Sequence, residues 1–315
     1  MSEKSILLGL DGSAQSRYAA ELAWSMAKTG KMRVDAQHVV DSLAAWDFLA
    51  FDIAGFIGSG PYFEAHETMR NTLNSIGQNL IDVYRASAKQ NDIEGEAFLD
   101  DGATIREICW RARDHEFVVL GHTSTGMESP DEDKRKIPRR SVAETLTHYC
   151  PKPLLVVQDR AKLWSKVRIL LGGYEMPTSL ISSCVDFAHS LKMEPTVRYL
   201  YVVEGAGISD IDKTSPDGLR VANDITQSIP GLVGKKVDVR STRDANEYLR
   251  GDAVEEQDTL LIVPVTELAG VRKTAFGLTP DVMVRYLNHP AVLFWMYGPE
   301  SETAPQASKS VSTAV

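Results

Sequence analysis

The chain has 315 residues, 43% hydrophobic and 24% charged. This is ordinary globular usage, which excludes a disordered, collagen-like or fibrous polymer and leaves room for about two domains of roughly 150 residues. With 34 Lys and Arg against 43 Asp and Glu the formal charge is −9, so the net attraction that sequence-independent nucleic-acid binding needs is missing.

Ser5 to Leu10 is a short apolar run ended by Asp11-Gly12-Ser13, the pattern of a strand buried on both faces and a tight turn. Ser13 offers an N-cap for a helix over Ala14 to Lys28, with Ala19, Leu22, Ala23 and Met26 on one face and Gly30 as its stop. A second strand follows over Val34 to Val40. After it come a helix from about Glu64 to Asn91, a strand over Glu94 to Phe98, a helix over Ala103 to Asp114 and a strand over Phe117 to Leu120. A helix over Ser141 to Tyr149 and a strand over Leu154 to Val157 complete the series. Strands alternating with helices imply right-handed crossovers and a mostly parallel α/β sheet.

The series then starts again. Ile169 to Gly172 copies Ile6 to Gly9, and Tyr201 to Glu204 aligns with His38 to Asp41, both at an offset of 163. Leu260 to Thr266 matches Phe117 to Thr123 at 143, and Asn288 to Leu293 matches Pro151 to Val156 at 137. The falling offset locates deletions in the second copy, so the chain reads as a tandem duplication. The expected domains are 1–160, with an inserted aromatic segment 42–63 and a charged loop 127–139, and 161–299, followed by a disordered tail 300–315. The join, Gln158 to Ser165, has neither Gly nor Pro, so the two domains should pack together rather than swing on a tether.

Cys109, Cys150 and Cys184 are widely spaced and make no C-x-x-C, which suggests neither disulfides nor a zinc knuckle and fits a reducing, cytoplasmic setting. Met1 to Lys4 lacks the pattern of a secretory signal. The longest apolar stretch, Leu43 to Ile57, is broken by Asp47, Asp52 and Gly55, so no membrane helix is expected. No histidine has a metal-ligand spacing, and neither a G-x-S-x-G elbow nor a G-x4-G-K-[ST] loop occurs, so no catalytic or metal residues are assigned. Asp100-Asp101 reads more cheaply as a solvated turn than as a cation site. The aromatics Trp46, Phe48, Phe51, Phe56, Tyr62 and Phe63 read as a lid, a dimer surface or a protein-docking patch, or equally as a local hydrophobic cap on their own domain.

Taken in order, Leu10-Asp11-Gly12-Ser13, His38 to Asp41, Gly102 to Ile108, Val118 to Gly121, Ser141 to Glu144 and Pro151 to Leu154 resemble a universal stress protein. The likeness covers nearly all of 4–158 and, more weakly, 166–297. It implies two tandem Rossmann-like α/β/α sandwiches packed as an intrachain pseudo-dimer, with ATP binding in many members and dimers paired through the last strand. A nucleotide would meet Gly9, Asp11, Val39, Gly121, Ser124, Gly126, Arg140, Ser141 and Val142.

The family's phosphate loop reads G-x2-G-x9-G-[ST], glycines letting backbone N–H groups approach phosphate before a helix N-terminus. In the first copy Gly121 and Ser141 are kept, Ser124 and Arg140 replace two glycines, and six residues are inserted. Either Arg139, Arg140 and the Ser141 helix start hold phosphate through charge, or the charged loop is a solvated surface. In the second copy the loop length survives, but Tyr174 replaces Asp11, Pro264 the first glycine and Glu267 the second. Glu267 would repel phosphate, so no nucleotide is expected there. The resulting expectation is a non-catalytic stress protein acting through protein association, with no required cofactor, unnamed protein partners and a homodimer by family likeness. ATP or another adenine nucleotide in the first domain alone is the alternative.

Overall fold

The computed structural model describes residues 4–42, 60–122, 140–161, 164–202, 216–235, 237–242, 258–286 and 289–296. The first half contains β1 (Ser5–Gly9), α1 (Ala14–Gly30), β2 (Arg33–Val40), α2 (Gly60–Gln90), β3 (Ala97–Asp101), α3 (Thr104–Ala112), β4 (Phe117–Gly121), α4 (Val142–Tyr149) and β5 (Leu154–Val157). The second contains β6 (Lys166–Leu171), α5 (Thr178–Ser190), β7 (Pro195–Val202), α6 (Pro216–Gln227), β8 (Val237–Thr242), β9 (Thr259–Leu268), β10 (Val271–Thr274), α7 (Pro280–Tyr286) and β11 (Ala291–Trp295).

All strands join one 11-stranded sheet in the order β3-β2-β1-β4-β5-β11-β9-β6-β7-β8, with β10 paired to β9 off this path. Read outward from the middle, both halves have the same order, and each aligned segment of the sequence repeat falls on equivalent strands: β1 with β6, β2 with β7, β4 with β9, β5 with β11. Pairing is parallel within each half, except in the β9–β10 hairpin. The halves meet where β5 and β11 run antiparallel, with Val156 opposite Val292 and Leu155 opposite Leu293. At the repeat offset of 137, Val292 is the counterpart of Leu155 and Leu293 that of Val156. Each residue therefore faces the copy of its neighbour, which is the isologous contact of a two-fold dimer built into one chain.

The strands are apolar on both faces because both faces are covered. One core cluster holds Ile6, Leu8, Leu22, Met26, Phe117, Leu155, Ile169, Ile262 and Leu293. The other holds Leu7, Val118, Leu146, Leu154, Val156, Leu170, Leu261, Val292 and Phe294. Both run through the seam, so the halves share two continuous apolar layers rather than a wetted interface.

Several boundaries differ from the sequence expectation. Helix α1 starts as expected, Ser13 Oγ accepting the Ser16 N–H at 3.1 Å, but its left-handed cap is Lys31 and not Gly30. Strand β3 lies three residues later than expected. Gly95, at φ 147°, seats its α-carbon against the Val34 backbone, and regular pairing begins only at Ala97 opposite Ala36. Asp100 and Asp101 thereby belong to the strand and not to a solvated turn. Arg111 holds Asp100 at 2.7 Å and Arg70 holds Asp101 at 2.6 Å, so neither carboxylate is spare for a cation. The hairpin strand β10 has no counterpart in the sequence reading. Trp46, Phe48, Phe51 and Phe56, the charged loop 127–139 and the tail 300–315 lie outside the described residues; Phe63, on α2, is exposed. Among the described residues, no helix is long and apolar enough to cross a membrane.

Candidate functional site

In the first half the chain leaves β1 toward β2 on one side, while β4 lies on the other. This reversal opens a crevice at the carboxyl ends of β1 and β4, the place where open α/β sheets take ligands. Gly9 ends β1 beside Leu120 of β4, and a β-carbon there would fall onto the Leu120 side chain. Gly121 ends β4, and its β-carbon would fall onto the Gln15 and Ser16 backbone in the first turn of α1. Asp11 is exposed just beyond β1; its Oδ1 accepts the Ser13 N–H at 2.9 Å, and its own N–H donates to Ser16 Oγ at 3.3 Å. Val39 is half-buried near the end of β2, packed against the second core cluster. Gly9, Asp11, Val39 and Gly121 thus lie at neighbouring strand ends. Ser124 and Gly126 lie outside the described residues.

Arg140, Ser141 and Val142 open α4. Ser141 Oγ caps the helix by accepting the Glu144 N–H at 3.1 Å, and it shares a hydrogen bond with His122 Nδ1 at 3.2 Å. His122 is buried, and burial lowers its pKa below the ordinary imidazole value, against the opposing pull of Glu144. The Arg140 guanidinium, largely exposed, sits 3.4 Å from the buried carboxylate of Asp281 in the second half. Arg140 and Ser141, the two groups expected from sequence to meet phosphate, thus have partners within the chain, an aspartate and a histidine. No local pattern in the sequence marks His122. Asp281 was findable, because at the 137 offset it is the counterpart of Glu144.

The same place in the second half is closed by the chain itself. Beyond Pro264, β9 runs on and turns back as β10 through Ala269 and Gly270, whose φ values of 51° and 78° suit a two-residue hairpin. The chain then folds over the end of β6. Tyr174 N–H donates to the Ala275 carbonyl at 3.0 Å, and the space beside Gly172 holds that carbonyl and the Phe276 ring, each 2.6 Å from where a β-carbon would stand. Glu267 departs from expectation: its carboxylate is paired with Arg272 at 3.3 Å, so charge repulsion is the smaller obstacle and the backbone the larger. Arg272 is itself buried, donating to the Thr147 carbonyl at 3.0 Å.

Two further histidines contact backbone carbonyls: His38 Nδ1 lies 2.7 Å from Leu10 O and His289 Nδ1 2.7 Å from Ala291 O. Among the described residues no three His, Cys, Asp or Glu side chains gather as a metal cluster would require. All three cysteines are free, and burial raises the thiol of each.

No family model and no curated protein matches the chain. Among solved structures, a universal stress protein from Archaeoglobus fulgidus aligns at a TM-score of 0.54 and 18% identity, over 95% of this chain and 100% of that one. The present chain has the universal stress protein fold, in tandem. A putative universal stress protein from Pseudomonas aeruginosa aligns at 0.50 and 14%, over 94% of each chain. A half-length universal stress protein family member from Arabidopsis thaliana, solved with AMP bound, aligns at 0.33 and 14%, over 49% of this chain and 91% of that one.

Proposed function

We propose that this chain is a tandem universal stress protein of the cytoplasm, with domains at 1–160 and 161–299, that acts without catalysis by associating with other proteins. Its two ancestral mononucleotide pockets no longer serve as nucleotide sites. The observation that carries this reading is the turn from Ala275 to Gly277 lying on the end of β6, where the phosphates would need space. In the first half the support is different: Arg140 and Ser141 are occupied by Asp281 and His122. A ligand phosphate would have to displace Arg140 from the Asp281 carboxylate and Ser141 from His122, and leaving that imidazole nitrogen without a partner costs about 1–3 kcal/mol.

The test is to purify the full chain, denature it and assay the supernatant for adenine nucleotide, while its native mass and crosslinked partners are determined. The reading predicts no stoichiometric nucleotide and a defined protein complex, with a homodimer as one form of it. Stoichiometric ATP or AMP in the supernatant would contradict it.

A second reading has a specific observation in its favour. Gly9, Asp11, Val39, Gly121 and the start of α4 converge on one crevice in the first half, so an adenine-nucleotide sensor with a single working site is the alternative. Under that reading Asp11→Ala abolishes nucleotide retention; under the first it changes nothing but the start of α1.

A further inference from the structure

Helices α4 and α7 occupy equivalent places in the two halves and pack against each other across the seam. Two side-chain bridges join them. Arg285 Nη2 donates to Glu144 Oε2 at 3.1 Å, and His148 Nε2 stands 3.1 Å from Asp281 Oδ1. At the repeat offset of 137, Glu144 corresponds to Asp281 and His148 to Arg285. The two bridges are therefore one contact written twice by the duplication, an acid in the first turn of each helix reaching a base near the end of the other. The acids have stayed acids, while the bases differ: a guanidinium that is always charged on α7, and on α4 an imidazole whose charge changes between about pH 5 and 8.

We propose that the seam is proton-sensitive, with Arg285–Glu144 as its permanent ion pair and His148–Asp281 as a second bridge that becomes an ion pair when the imidazole takes up a proton. Acidification strengthens the hold of α4 on α7, and alkalinisation weakens one of the two bridges. Both acids are buried, whereas both bases are partly exposed, so the proton reaches His148 from solvent without opening the core. His148 Nε2 and Asp281 Oδ1 are each buried without a well-aligned hydrogen bond, so the contact gains most when both groups are charged. The groups facing the pair are Arg140, 3.4 Å from Asp281 Oδ2, Glu144 and Tyr149 on α4, and Arg285 on α7. Although burial pushes the Asp281 carboxyl up, the Thr279 hydroxyl, His148 and Arg140 hold it below the ordinary range, which keeps it charged throughout the range in which the imidazole titrates.

Other histidines work in the opposite direction, so a bare stability profile does not isolate this one. His289, pushed down to about 4 by burial, and His122, also lowered, contribute stability that is lost as pH falls. The test therefore follows His148 itself by NMR, its imidazole C2 proton identified as the resonance missing from His148→Arg, in the full-length chain and in Asp281→Asn. Removing the carboxylate should move the His148 titration toward lower pH; an unchanged titration overturns the proposal. The second measurement compares unfolding midpoints of the parent and His148→Arg. The Arg variant, which restores the symmetric bridge, should be equal to the parent at pH 5.5 and more stable at pH 8.5. A difference independent of pH overturns the proposal as well. Should Asp281→Asn fail to fold, this comparison stands alone, because it leaves Asp281 in place.

Discussion

Gly121 shows how a residue can satisfy two explanations that only substitution separates. As a phosphate-loop glycine it would be kept for a ligand; in the structure it is kept because α1 starts on top of it. Gly121→Ala should therefore destabilise the free protein by about 1–3 kcal/mol, read from the urea midpoint. Gly173→Ala, where no atom lies within 4 Å of the added carbon, should have little effect. Asp35 is the most heavily engaged carboxylate, accepting the Glu96 N–H at 2.8 Å, Arg33 at 2.9 Å and facing buried His115 at 3.1 Å. Burial raises its pKa, but the Glu96 N–H, Arg33 and His115 hold it below the ordinary carboxylate value. Its contribution is thus complete above the unfolded-state value and lost as pH falls through the lower folded value. Asp35→Asn should cost about 3–5 kcal/mol at neutral pH and flatten the stability profile below about pH 4, measured by denaturant unfolding at each pH.

At the scale of elements, the two serine-capped helices differ in what the cap carries. Ser13 caps α1 near solvent, so Ser13→Ala should cost about 1 kcal/mol. Ser141 caps α4 and also holds buried His122, so Ser141→Ala should cost roughly 1–3 kcal/mol more by leaving an imidazole nitrogen without a partner. Chemical denaturation of the two variants checks the ranking. The apolar runs and caps made most of these elements legible in sequence, because a strand buried on both faces and a Ser-led helix each leave a local signature. Strand β3 was misplaced because its start depends on Gly95 meeting Val34, and its last two residues are aspartates whose arginine partners are remote in sequence. The β9–β10 hairpin was hidden for a related reason: its turn is Ala-Gly, not Asn-Gly, and family likeness assigns that stretch to a loop.

At the scale of the molecule, the duplication was visible as a shared offset, and the same offset explains the self-complementary register of β5 with β11 and the twin bridges between α4 and α7. The candidate site was legible only in part. Its glycines and Asp11 could be picked out by order and spacing, but that Asp281 reaches back to Arg140 follows from how the halves close on each other. In the second half, the turn after β10 lies on the end of β6. The central claim is that neither crevice accepts a triphosphate, and melting of the full chain against ATP with magnesium tests it most directly. A ligand confined to the native state at about 100 times its Kd stabilises it by about 2.7 kcal/mol, a shift of several degrees. The account predicts an unmoved melting temperature up to about 5 mM ATP, since affinities tighter than about 50 μM would show at that ratio. A rise of several degrees that Asp11→Ala or Arg140→Ala removes would contradict it.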